Sequence, residues 1–228
     1  MAHPPIRDSE LPFSEFIKSC QSTTPRKHLK LDFKELPVVE PCLKILQNYP
    51  ASDKQGVYLN ADILPGPGCR GSPATCDARE FLRICLKYKP VPILSLGFNC
   101  HVARTYNFKG SYMEEDVEAM VTLCEEFELV DEAGGIVFAL NLRIARYDLE
   151  VLKGLLDRVE GCQILFWTGT GEPSVLKEIV DEVEEELKEY EGRIAFDCKI
   201  AETRFEGYKN EVLIKLINSV NKIRGLGF

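Results

Sequence analysis

Short β-rich runs alternate with longer amphipathic ones along almost the whole chain, and this alternation constrains the fold more than any other feature. The β-rich runs are HLKLDFK (28–34), VYLNADI (57–63), ILSLGF (93–98), GIVFALNL (135–142), CQILFWT (162–168) and RIAFDC (193–198). Their centres lie near residues 31, 60, 96, 139, 166 and 196, so one unit repeats about every 33 residues, the length of a strand plus its crossover helix. Six such units, with no stretch of consecutive strands, predict one parallel-sheet α/β domain over residues 1–228.

The runs between the strands carry helix signals. Asp77 with Glu80, and Ser111 with Glu114, have the spacing of a capping box. Phe81, Leu82, Cys85 and Leu86 follow the first box; Val117, Met120, Val121, Cys124 and Phe127 follow the second. Each set recurs at three or four residues, as one face of a helix does. The same pattern predicts helices at 151–159, 172–191 and 212–220.

Two architectures fit this order: a doubly wound open sheet and a (β/α)8 barrel. In LKLDFK the polar residues Lys30, Asp32 and Lys34 share one face, opposite Leu29, Leu31 and Phe33. In YLNADI, Asn60 and Asp62 likewise oppose Leu59, Ala61 and Ile63. A central strand of an open sheet is covered by helices on both faces and reads as continuously apolar. A barrel strand near its C-terminal mouth can instead aim polar side chains into a site, and these strands favour the barrel. Eight units at the observed spacing need more than 228 residues, so the expectation is a TIM-barrel-like fold of about six βα units, incomplete at its N-terminal side.

Composition narrows the function classes. The chain is 45% hydrophobic with a net charge of −8, so it lacks the basic footprint that a phosphate backbone attracts, and nucleic acid is not an expected partner. The longest apolar run, Ile136 to Leu140, is five residues, far short of the roughly 20 that span a bilayer, and no signal-peptide pattern opens the sequence. Segment 172–191, with nine acidic and two basic residues, reads as a solvated outer face. Nine cysteines cannot all pair. Cys42, Cys85 and Cys124 fall on apolar helix faces, whereas Cys69 and Cys76 share one loop and would form either a local bridge or two free thiols.

Polar residues converge at the C-terminal ends of the strands: Asp32, Lys34, Asn60, Asp62, Asn141 and Asp197. Carboxylates with an amide suit a hard cation such as Mg²⁺ or Ca²⁺, and a nearby lysine suits a phosphate. Together they suit metal-assisted phosphoryl chemistry, unless they merely satisfy one another and the loop backbone. Gly169 and Gly171 form a G-x-G that would cradle an anion at a helix N-terminus. The other histidines, His28 and His101, read as incidental.

The segments KLDFKELPVVEPCL (30–43), YLNADILPGPG (58–68), SLGF (95–98), FWTG (166–169) and AFDC (195–198) resemble the menorin family. The resemblance implies a phosphodiesterase-like TIM barrel, distantly similar to glycerophosphodiester phosphodiesterases. It departs at Phe98, where the family shows Trp, and in the loop NCHVARTYNF. Within MAHPP it places His3 at an acid–base histidine after the second barrel strand, so strands one and two would lie upstream. It implies His3 and Lys34 as catalytic, Lys34 contacting phosphate, and Asp32 and Asp62 as ligands of a divalent cation. It further implies Lys30, Asn60, Asn141 and Trp167 as substrate-binding residues for a phosphodiester small molecule or lipid. An upstream histidine and carboxylates would be missing, so little phosphodiesterase activity is expected of this chain alone. The family resemblance also implies an alternative: a non-catalytic extracellular cue in neuronal dendrite patterning, acting with a cell-surface receptor or adhesion protein. Localisation is then extracellular or secretory, with the cytoplasm as the alternative for a chain that shows no leader.

Overall fold

The computed structural model describes residues 9–22, 27–48, 56–101, 110–169 and 171–202. Its strands are β1 (Leu29–Phe33), β2 (Val57–Pro65), β3 (Ile93–Asn99), β4 (Ile136–Asn141), β5 (Gln163–Trp167), β6 (Val175–Leu176), β7 (Ile194–Asp197) and β8 (Ile200–Ala201). The helices are α1 (Phe13–Ser22), α2 (Val39–Gln47), α3 (Ala78–Leu86), α4 (Glu114–Glu126), α5 (Leu129–Glu132), α6 (Leu142–Ala145), α7 (Leu149–Arg158) and α8 (Lys177–Glu186). All six sequence-predicted strands form, each within a residue or two of its expected bounds. Helix α1 has no predicted counterpart, although Phe13, Phe16, Ile17 and Cys20 carry helical spacing and Ile17 is buried.

Six strands form one parallel sheet in the order β1-β2-β3-β4-β5-β7, which curls into a half-barrel with helices around it. A doubly wound sheet reverses its order at a switch point; this one runs in chain order throughout. The two-residue strands β6 and β8 pair in parallel as a separate clip.

Alternation along the strands sorts the two faces. Leu31, Phe33, Leu59, Ala61, Ile63, Leu94, Leu96, Phe98, Ile136, Phe138, Leu140, Ile164 and Phe166 point to the convex side and are all buried. Against them pack Val39 and Leu43 of α2, Phe81, Leu82 and Cys85 of α3, Met120 and Val121 of α4, and Leu152, Leu155 and Leu156 of α7. The hydrophobic core therefore lies between sheet and helices, leaving the concave face for polar side chains.

The helix starts show which local signals won. Asp77 caps α3, accepting the Glu80 N–H at 2.9 Å as expected. Ser111 does not cap α4. Its hydroxyl donates to Asp148 Oδ1 (3.2 Å) and the Tyr112 N–H donates to Asp148 Oδ2 (2.9 Å), tying this loop to the start of α7. The helix begins two residues later, with Asp116 Oδ2 accepting the Met113 N–H at 2.9 Å. The predicted 172–191 helix shortens to α8 because Val175 and Leu176 join the clip with β8 and Glu172 is held elsewhere. All nine cysteines are free thiols, Cys69 and Cys76 included. The predicted 212–220 helix lies outside the described residues.

Candidate functional site on the concave face

Register places the polar residues of successive strands side by side. Asp32 of β1 sits beside Asn60 of β2, which sits beside Ser95 of β3. One level nearer the C-terminal edge, Asp62 neighbours Gly97, then Ala139, Leu165 and Ala195. A level higher, Asn141 neighbours Trp167 and then Asp197. Of the sequence-predicted site residues, Lys30, Asp32, Asn60, Asp62, Asn141 and Trp167 thus share one face, and Lys34 joins them just beyond β1. His3 lies outside the described residues.

A chain of contacts runs across β3, β2 and β1. The buried Ser95 hydroxyl donates to Asn60 Oδ1 at 2.8 Å, and Asn60 Nδ2 donates to Asp32 Oδ1 at 2.8 Å. Asp32 Oδ2 lies 3.0 Å from Lys34 Nζ, which lies 3.4 Å from Asp62 Oδ2. Burial opposes the Lys34 charge, but Asp62 and Asp32 outweigh it and the ammonium pKa is raised. Burial also raises the Asp62 pKa, and Asp32 adds to the rise while Lys34 offsets part of it. Gly97 is what admits the Asp62 carboxylate: a Cβ there would stand 2.7 Å from Asp62 Oδ1.

Across the sheet a second arrangement forms around a residue the strand pattern did not single out. The Asn141 amide nitrogen lies 3.0 Å from both carboxylate oxygens of Glu172, while Asn141 Oδ1 accepts the Arg143 N–H and so caps α6. Asn141 and Glu172 are both buried. The loop holding Glu172 is fixed to the strand beyond it: the Lys199 N–H donates to Thr168 Oγ1 and Lys199 Nζ to the Glu172 main-chain oxygen, each at 2.8 Å. Here the G-x-G expectation is corrected. A Cβ at Gly169 would lie 2.5 Å from Glu172 Oε1, so this glycine makes room for the protein's own carboxylate rather than for a bound anion at a helix start. That glycine, two residues past the end of β5 and three before a glutamate, was the available signal for Glu172.

Below these levels the concave face forms a trough of about 280 Å³ lined by Lys30, Tyr58, Ser95, Gln163, Leu165 and Ala195, among others. Burial lowers the Lys30 pKa, and Asp32, Asp197 and Asp62 counter part of that fall.

The donor set on this face does not match the divalent cation that the resemblance implies. Among the described residues no group of three His, Cys, Asp or Glu is placed to hold a metal. Asp32 and Asp62 are bridged by the Lys34 ammonium, and Asn60 turns its carbonyl oxygen to Ser95 and its amide nitrogen to Asp32. A hard cation takes about six oxygen ligands. The described residues as placed offer two carboxylates with a cation already between them, and they do not fit a metal. What they form is an ion-pair cluster in which one ammonium joins two carboxylates at the C-terminal edge of the sheet.

No helix among the described residues is long and apolar enough to cross a membrane. A family model described as the menorin N-terminal domain matches residues 1–190. Protein FAM151B of Homo sapiens is 31% identical over 171 residues, which make up 74% of this chain and 58% of that protein, so the match spans little more than half of the relative. The motifs around Asp32 and Asp62 and the extent of the model match carry the same conclusion: the chain belongs to the menorin family.

Proposed function

We propose that the concave face is the binding site of a phosphodiester-type anion in a (β/α)8-type barrel. The observation that carries this reading is the Lys34 ammonium, held 3.0 and 3.4 Å from two carboxylates at the C-terminal end of parallel strands, where βα-barrels place their sites. Lys34 contacts the phosphoryl oxygens as a point charge. Asp32, braced by Asn60 and Ser95, sets the direction of that ammonium. Asp62, whose pKa burial raises, is the group suited to hold and deliver a proton. Lys30 and Trp167 flank the ligand, and His3 is proposed as the acid–base partner on the ground of the family resemblance alone.

Trp167 is the single tryptophan of the chain and sits on this face, so its fluorescence reports occupancy. Titrating the full chain with dimethyl phosphate is expected to give a saturable change that Lys34→Met weakens roughly tenfold or more, as loss of a charge-assisted contact does. An unchanged affinity in Lys34→Met, or no saturable change in the wild type, rejects the anion reading. Turnover of a phosphodiester is expected to be negligible, and hydrolysis that Asp32→Ala abolishes would overturn that expectation.

The other reading is a non-catalytic extracellular cue that meets a cell-surface receptor or adhesion protein. The closed Asp32–Lys34–Asp62 triad favours it, since these groups already neutralise one another. Trp167 fluorescence separates the two. A saturable response to dimethyl phosphate that Lys34→Met weakens points to a chemical site; no response favours the cue.

A further inference from the structure

Glu172 is a buried carboxylate with no part in the chemistry assigned above. Both its oxygens face a single neutral amide nitrogen, that of Asn141, at 3.0 Å, and no salt bridge among the described residues reaches it. A carboxylate has about four acceptor positions and is costly to bury without a charged partner. Yet the backbone is shaped to keep it there. Gly169 lacks the Cβ that would stand 2.5 Å from Oε1, and Lys199 clamps the Glu172 main-chain oxygen at 2.8 Å. Lys199 feels the charge through space, although its ammonium donates to the main chain rather than to the carboxylate. Asn141 lies on the same concave face as Lys34 and Asp62, so the carboxylate it holds belongs to the β4–β5 side of that face, away from the lysine on the β1–β2 side.

We propose that Glu172 is a specificity-determining residue that takes an ammonium group on the alcohol portion of the ligand, so that the site selects an amino-alcohol phosphoester. The inference rests on the anion reading of Lys34. One wall then supplies a cation for the phosphate and the other an anion for the amine, matching a zwitterion end to end.

The test compares phosphoethanolamine, 2-hydroxyethyl phosphate and ethyl phosphate on the full chain, read by Trp167 fluorescence. Wild type is expected to bind phosphoethanolamine roughly tenfold or more tightly than either of the others, the size of a charge-assisted hydrogen bond. In Glu172→Gln that preference is expected to collapse to within about twofold, a ratio that a purely structural role would not move. Gly169→Ala, which displaces the carboxylate without removing it, gives the same collapse and stands in if Glu172→Gln misfolds by circular dichroism. Equal binding of the three esters by wild type, preference for the hydroxyl ester, or a preference that survives both substitutions overturns the proposal and leaves the anion reading intact. Failure of all three esters to bind wild type overturns both.

Discussion

Two ends of the same concave face hold their carboxylates in different ways. On the β1–β2 side charge meets charge: Lys34 bridges Asp32 and Asp62, whose side chains keep 39% and 19% of their exposure. On the β4–β5 side a buried carboxylate meets a neutral amide, since Glu172 leans on Asn141, which is itself fully buried. The first arrangement tolerates solvent and its parts are exchangeable. The second is largely buried, and its hydrogen bonds have no formal counter-charge behind them. Stability should therefore depend most on the pair without a formal counter-charge, while ligand binding should depend most on the triad.

Asn141→Ala is the strongest way to break this contrast. It removes the donor from Glu172 and also the Oδ1 that caps α6 through the Arg143 N–H at 3.0 Å. Losing a hydrogen bond to a buried charge costs about 1.5–3 kcal/mol and losing a cap about 1 kcal/mol. Urea unfolding is expected to show a loss of about 3 kcal/mol. A loss below about 1 kcal/mol would mean that water reaches Glu172 and that the two sides do not differ.

The difference also explains what the sequence reveals. Alternation exposed Lys30, Asp32, Asn60 and Asp62, because a strand that is apolar on one face and polar on the other announces its register, while Asn141 stood out only by its place at a strand's C-terminal end. Strand order followed from the repeat. Glu172 stayed hidden because it lies in a loop, where no period assigns a face, and the acidic run from Glu178 onward made it resemble the start of a solvated helix. Ser111 misled for a related reason: a cap motif is local, while Asp148, which takes the Ser111 hydroxyl and the Tyr112 N–H, is more than 30 residues away. Ser95 went unremarked since only the folded sheet sets its hydroxyl against Asn60.

Asp62 sharpens the comparison through pH. Its folded pKa is raised above the ordinary 3.8, first by burial and then by Asp32. A raised carboxyl pKa favours folding while the group is protonated; that contribution is complete below the unfolded pKa and is lost as pH rises through the folded one. In Asp62→Asn this pH dependence is expected to disappear, and the variant should gain stability relative to wild type as pH rises from below 3.8 to neutrality, by about 1 kcal/mol or less. Parallel Tm–pH curves for the two proteins would show that Lys34 outweighs burial and that Asp62 is an ordinary ion-pair carboxylate.

Asp32→Ala is expected to cost least. Its side chain is 39% exposed, so the 3.0 Å ion pair with Lys34 is screened, and pairs of that kind are worth about 0–1 kcal/mol. The exposed side of the site also lets water take the Asn60 amide proton that Asp32 accepts at 2.8 Å, which keeps a buried donor from being orphaned. Lys34 then rests on Asp62 alone, its direction loosened but its charge retained. Urea unfolding should therefore move by less than about 1 kcal/mol while affinity for dimethyl phosphate changes measurably. A stability loss as large as that of Asn141→Ala would make Asp32 behave like the buried half of the site and erase the distinction between its two ends.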